Sequence, residues 1–297
     1  MLNRLFASHK HPCFKNPAKW DTLKIDLSGN LFEITLPPQD YEFPERPHLP
    51  KVNLFDEKIY HYNSEPDRNG YPPHHKGVSA PGILKRNWFS YGPIWQAGHI
   101  GILQCSSVIC DTSRMEHELN CFNPEHLEKL ILHGLYYSDG PGFGLNEHTT
   151  PVNWQVRSIN GTEWVYLESW PRAAEWDPLP DAYNDEATVD ITLYAPLFSE
   201  KYQIVTFSAT GSLPADSSNQ LMLHRIESII KTLNLQLSPE ASKQKILAEK
   251  KYHNTHYSTH REPEPWQYYS SYRDGNILEG EKSLVIEGPC SPPPSLD

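Results

Sequence analysis

The stretch Trp154-Gln-Val-Arg-Ser-Ile159-Asn-Gly-Thr162-Glu-Trp-Val-Tyr-Leu-Glu168 decides the fold. Its two halves alternate in character across Asn160-Gly161, the dipeptide that best supplies the paired positive φ values of a type I′ turn, so the stretch is expected to be a β-hairpin. Two further runs, Thr188-Val-Asp-Ile-Thr-Leu-Tyr194 and Tyr202-Gln-Ile-Val-Thr-Phe207, are rich in β-branched and aromatic residues and extend the hairpin into an antiparallel meander. The pattern then switches period. From Gln220 to Leu233 the apolar residues Leu223, Ile226, Ile230 and Leu233 share one helical face, with Arg225, Glu227 and Lys231 elsewhere. A helix with one apolar stripe needs a sheet to cover.

Upstream, Leu23, Ile25 and Leu27 alternate with polar residues, Ser28-Gly29 turns, and Phe32, Ile34 and Leu36 alternate again before Pro37-Pro38 stops the strand. Residues 39–87 are polar and rich in Pro, His and Tyr, which predicts a long surface excursion with Lys58 to Tyr62 as its one strand. Order is expected to return at Trp88-Phe89-Ser90-Tyr91 and in a central strand from Ile100 to Ile109. Asn123-Pro124 supplies an N-cap followed by proline at the first helical position, and Leu127, Leu130, Ile131 and Leu135 form the stripe of that helix. Beyond Leu237, Ser238-Pro239-Glu240 opens a lysine-rich helix to about Lys251, with Ala241, Ile246 and Leu247 as its apolar anchors. The tail offers a strand at Leu284 to Glu287 and the aromatic cluster Trp266-Gln-Tyr-Tyr269. The expected class is α/β of the α+β type: a mainly antiparallel sheet layered with helices, with long loop insertions and a C-terminal extension. One domain over 1–237 carries the insertion 39–87, and 238–297 forms the helical and irregular extension.

Leu31 to Pro37, Asn160-Gly161-Thr162-Glu163-Trp164 and Ile226 to Leu235 give the chain its family likeness. An early strand pair with a Leu-Pro stop, an Asn-Gly-x-x-Trp hairpin entering a meander, and a final helix ending near Leu-x-Leu resemble the PsbP/DcrB-like fold group over about half the chain. The insertions at 39–87 and 170–187 and the long extension depart from that group. The resemblance implies a protein-binding, accessory or immunity role rather than catalysis.

A chain of 297 residues is long enough to bury a core without disulfides, while 27 prolines, 16 tyrosines and 8 tryptophans indicate long loops around it. The five cysteines, Cys13, Cys105, Cys110, Cys121 and Cys290, have an odd count and scattered spacing, which suits reduced thiols. No run of about 18 apolar residues is present to span a bilayer, and Leu5-Phe6-Ala7 is too short for the apolar core of a secretory leader. The expectation is a soluble, cytoplasmic protein. A net charge of −11 disfavours nucleic acid and anionic membranes as partners and favours a basic protein.

No motif specifies a cofactor, and none is expected. His253, His256 and His260 are spaced for zinc on a continuing helix, yet their segment is poor in helix formers and lacks a fourth ligand. His61 with His74 and His75, and His9 with His11, carry still less. The thiols Cys105, Cys110 and Cys121 lie in apolar sequence, with His99 or His117 as conceivable catalytic partners. Gly140-x-Gly142-x-Gly144 follows a helix instead of a strand, so it reads as a turn and not as a phosphate loop.

The most promising surface is the loop from Trp170 to Asp190. It gathers Trp170, Trp176 and Tyr183 with Glu175, Asp177, Asp181, Asp185, Glu186 and Asp190 against the single base Arg172. Aromatic anchors in acidic surroundings suit recognition of a basic protein partner. The candidate binding residues are Trp170, Arg172, Trp176, Asp177, Asp181 and Tyr183; no catalytic or metal-binding residue is assigned. Two other readings stand beside this one: a metal-dependent hydrolase using clustered histidines, and a structural domain of a larger assembly.

Overall fold

The computed structural model describes residues 2–8, 13–15, 19–40, 50–60, 81–95, 98–115, 119–133, 152–169, 188–211, 217–261, 267–269 and 282–285. Strands β1 (Cys13–Phe14), β2 (Asp21–Leu27), β3 (Asn30–Leu36), β4 (Lys51–Val52), β5 (Gly82–Tyr91) and β6 (Gly101–Asp111) precede helix α1 (Pro124–His133). The meander β7 (Val152–Ile159), β8 (Thr162–Ser169), β9 (Thr188–Phe198) and β10 (Lys201–Gly211) leads into α2 (Ser217–Ile230). Then come β11 (Asn234–Gln236), α3 (Pro239–Lys251), β12 (Gln267–Tyr269) and β13 (Lys282–Val285). A seven-stranded sheet runs β1-β5-β6-β10-β9-β8-β7, and a four-stranded sheet runs β11-β3-β2-β4. The large sheet is antiparallel throughout; in the small one β4 joins β2 in parallel. The fold class read from the sequence is the one observed.

Both hairpin turns follow from their residue types. Ser28 and Gly29 take φ of 54° and 91°, and Asn160 and Gly161 take 47° and 84°. That left-handed pair matches the twist of the flanking strands, which is why Asn-Gly sits there. The second turn also joins layers, because Asn160 Nδ2 donates to Leu233 O at 2.7 Å and Thr162 Oγ1 to Leu235 O at 3.0 Å.

On one face of the large sheet lie the small sheet and α2. Leu23, Ile25 and Leu27 of β2 and Phe32, Ile34 and Leu36 of β3 point inward at alternate positions, as a half-buried strand requires. Met222, Leu223, Ile226, Ile229 and Ile230 of α2 join them against Leu103, Cys105, Leu193, Val205 and Phe207. The carbonyls after β3 close the seam: Arg86 donates to Pro37 O at 2.9 Å, and the Trp88 indole N–H lies 3.2 and 3.0 Å from Pro37 O and Pro38 O. Proline ends the strand for want of an N–H, and its carbonyl remains a free acceptor for the next layer.

The opposite face is covered by α1 and by residues 252–261. Leu127, Leu130 and Ile131 pack with Trp154, Val165, Leu167, Tyr194 and Tyr202. Asn123 caps α1, its Oδ1 accepting from Glu125 N at 3.0 Å. Helix α3 starts at Ser238, whose hydroxyl accepts from Ala241 N, and reaches the sheet through Gln244 on Ser199. Fully buried Asn30 ties three elements, donating to Leu197 O and accepting from Ser238 N at 2.7 Å.

Several local expectations are corrected. Residues Glu57–Ile59 form a 3-10 turn capped by Asp56 where a strand from Lys58 was expected, because the Asp56 carboxylate captures Lys58 N at 3.0 Å. Ordered strand resumes at Gly82, not Trp88; Lys85-Arg86-Asn87 reads as polar loop, yet Arg86 is buried by the Pro37 carbonyl. Ile246 and Leu247 of α3 are exposed, and Ala241 and Ala248 are its buried positions. The tail strand pairs with β12 as a hairpin, its bounds Lys282–Val285 beginning earlier than expected. No helix among the described residues is long and apolar enough to cross a membrane.

Candidate functional site

The residues nominated from sequence, Trp170, Arg172, Trp176, Asp177, Asp181 and Tyr183, lie outside the described residues. Asp190, counted with their loop, belongs to β9, opposite Ser169 of β8 and Ser208 of β10. Its backbone is part of the sheet.

The three histidines beyond α3 do not sit on a helix. Helix α3 ends at Lys251, and Asn254 takes φ of 72°, so His253, His256 and His260 share no helical face and all three are exposed. Among the described residues no three His, Cys, Asp or Glu side chains gather to hold a metal ion. His9, His11, His61, His74, His75 and His117 and the Gly140 to Gly144 turn lie outside the described residues.

The thiols are placed for packing. Cys105, Cys110 and Cys121 are buried and unpaired in disulfides. Burial pushes the Cys110 thiol up to about 12, against a hydrogen bond with Tyr202, and raises Cys105 and Cys121 as well. A thiol so placed holds its proton at neutral pH and is a poor nucleophile. His99 stacks on the Phe89 ring at 4.0 Å between centroids.

A polar cluster braces the β7 edge. Tyr166 donates to Glu168 Oε1 at 2.6 Å, Asn153 to Glu168 Oε2 at 3.0 Å, and Arg157, lying 3.4 Å over the Tyr166 ring, to Glu227 Oε1 at 2.7 Å. Burial, then the neighbouring Glu168 charge, raises the Tyr166 phenol above its ordinary value. The cluster fastens β7 and β8 to α2.

What the sequence reading missed is an apolar surface at one end of the large sheet. The N-terminal 3-10 helix (Leu2–Phe6) lies beside the β5–β6 connection, where Arg4 Nη2 donates to Gly98 O at 3.3 Å. The Arg4 guanidinium also lies 4.9 Å over the Tyr91 ring, and Lys15 Nζ lies 5.3 Å from the same ring. Phe6 is 86% exposed and Trp95 82%, with Leu5 and Ile94 each about half exposed. These are four of the seven large hydrophobics exposed among the described residues, and they occur on two adjoining segments. Single exposed apolar residues are ordinary on protein surfaces; these four lie on two segments joined by the Arg4–Gly98 hydrogen bond. Leu5-Phe6 and Ile94-Trp95 are far apart in sequence, and Arg4 bridges their segments through Gly98 O and the Tyr91 ring.

Comparison with known proteins gave no match to a family model and none to a curated protein.

Proposed function

We propose that the chain is a non-enzymatic protein-binding factor of the accessory or immunity type. The observation that carries this reading is the exposed set Leu5, Phe6, Ile94 and Trp95 on a backbone tied down by Arg4 and Tyr91. Large aromatic side chains held in place bury much area at little entropic cost on association, which makes them binding anchors. The buried, proton-holding thiols and the separated histidines are arranged for structure, and the unpaired cysteines suit a reducing, cytoplasmic setting. The resemblance to the PsbP/DcrB-like fold group points the same way. In this reading the acidic aromatic loop carrying Trp170, Arg172, Trp176, Asp177, Asp181 and Tyr183 is a second contact, whose carboxylates steer a basic partner.

The test is affinity capture from the native cell at moderate salt, with three baits compared by mass spectrometry. Wild type is expected to retain one basic protein near stoichiometry. Trp176→Ala with Asp177→Ala, and separately Phe6→Ala with Trp95→Ala, are expected to lose it while melting like wild type. Retention of the same protein by both variants rejects the reading.

A further inference from the structure

The chain carries a net charge of −11, yet the described groups around its exposed apolar end are mainly cations laid on aromatic rings. Arg4 and Lys15 share the Tyr91 ring. Asp40, beside Lys15, also acts on Arg225 of α2, which lies against buried Phe14 of β1, the partner of Ser90 on β5. The Arg225 guanidinium of α2 lies 4.9 Å from the Phe14 ring and 5.3 Å from the Trp20 ring. Lys19 is exposed beside Trp20. Two described carboxylates lie alongside. Asp40 is 3.5 Å from Lys15 Nζ and also accepts from Phe89 N, and Asp21 is 3.4 Å from buried Arg86. This end therefore keeps a positive excess on an acidic protein.

Arg225 is the telling member. It is half-buried, two rings stand over it, and among the described residues no oxygen accepts a hydrogen bond from its guanidinium. Ring contacts leave the in-plane N–H fork open, and that fork matches a carboxylate in a bidentate pair. Burial draws Arg225 below its ordinary value, opposed by Asp40, so an incoming anion finds a partly desolvated cation where attraction is less screened.

We propose that this end of the molecule, with Phe6, Ile94 and Trp95 as apolar anchors and Arg4, Lys15 and Arg225 as cations, docks an acidic peptide segment of a partner protein. Charge complementarity selects the acidic character, and the three exposed apolar anchors select a segment with aliphatic or aromatic residues between its carboxylates. A peptide side chain reaches a half-buried, ring-flanked guanidinium, which a flat bilayer surface does not. A long polyanion such as nucleic acid meets the field of the whole acidic chain, which a short segment largely escapes at physiological salt. The inference rests on the proposed function's reading of Leu5, Phe6, Ile94 and Trp95 as a binding surface and adds the chemistry of the segment docked there. It concerns a different segment from the acidic loop, and a partner with a basic surface overall can present a short acidic segment.

The experiment pans a phage-displayed random dodecapeptide library on the immobilised full chain, then measures the enriched peptides by fluorescence anisotropy. Enriched peptides are expected to combine Asp or Glu with aliphatic or aromatic residues and to weaken as salt is raised. Phe6→Ser with Trp95→Ser, and separately Arg225→Gln, are each expected to weaken binding by roughly tenfold or more. Trp176→Ala with Asp177→Ala is expected to bind as wild type, which separates failure here from failure of the proposed function. Phe6 and Trp95 are exposed, so their variant keeps the test sound even if Arg225→Gln lowers the melting temperature. No enrichment, enrichment without acidic bias, or binding indifferent to both variants overturns the proposal. So does capture of phosphatidylserine vesicles or oligothymidine, in place of peptide, with the same sensitivity to these variants.

Discussion

The two faces of the seven-stranded sheet are closed in different ways. One is covered by regular elements, the small sheet and α2, whose alternate or helically spaced apolar residues interlock with those of the large sheet. The other is covered by α1 and by the irregular residues 252–261 over an aromatic patch of Trp154, Tyr194 and Tyr202. Regular elements bring their backbone hydrogen bonds with them. An irregular segment laid on a sheet does not, so its polar groups need partners from side chains. Glu128 of α1, buried, supplies them: it accepts from Ser258 N, from Ser258 Oγ at 2.8 Å, and from Arg261 Nη2 at 2.6 Å. The Trp154 indole N–H takes Ser258 O at 2.9 Å, and Arg261 lies 5.3 Å over the Trp154 ring. One face is held by pattern and the other by a clasp.

The covered-by-pattern face holds a buried ion pair, and breaking it should give the largest effect. Lys201 and Asp111, both buried, pair at 2.9 Å, with Lys201 Nζ 5.0 Å from the Tyr60 ring and 5.6 Å from the Phe55 ring. Asp111→Ala leaves the ammonium buried without its counter-ion and is expected to cost ~3–5 kcal/mol of global stability by urea unfolding. Replacing both partners, Lys201→Met with Asp111→Leu, should recover most of that loss, because the penalty lies in the stranded charge and not in the absence of the pair.

The clasped face should fail locally. Glu128→Ala removes a set of charge-assisted hydrogen bonds worth about 2–3 kcal/mol, but Arg261 is a third exposed and rehydrates. Residues 252–261 are expected to open without the sheet unfolding. Buried Cys121, which lies under this layer with Tyr257 packed against the same cluster, then becomes reactive to a thiol reagent at neutral pH roughly tenfold faster or more. Equal rates in wild type and variant would show that the segment is held by its apolar contacts alone.

The smallest effect belongs to the rim of the small sheet. Glu33 of β3 is held below its ordinary value first by Lys24 and then by Asn234, whose Nδ2 donates to it at 2.9 Å across to β11. A lowered folded value means the stabilisation is present above the ordinary carboxylate value and is lost as pH falls through the lowered one. Glu33→Gln should therefore lower the neutral plateau by less than ~1 kcal/mol, because its partner Lys24 is exposed, and flatten the acid limb by the same amount, leaving stability at the lowest pH almost unchanged.

Legibility followed the range of the forces involved. The hairpin turns, the meander, α1, α2 and the Ser238 cap were readable because turn chemistry and side-chain period act between near neighbours. The early start of β5 was not, because Arg86 is decided by a carbonyl 49 residues away, while the 3-10 turn at Glu57–Ile59 rests on the local Asp56 cap that a strand reading of Lys58 passes over. Short β4 and β11 carry too few residues for a pattern and exist only as additions to the β2–β3 hairpin. The candidate surface was invisible for the same reason.

The sequence by itself determined the class of fold, the type I′ turn at Asn160-Gly161 and a turn at Ser28-Gly29, since each rests on local residue type and spacing. Only the tertiary structure decided that Arg4, next to Leu5-Phe6, bonds the loop that carries Ile94-Trp95, that Arg225 lies against Phe14 and Trp20, and that three histidines at helical spacing share no helix. Those outcomes depend on which distant backbone supplies an acceptor or a ring, and a linear spacing carries no information about that.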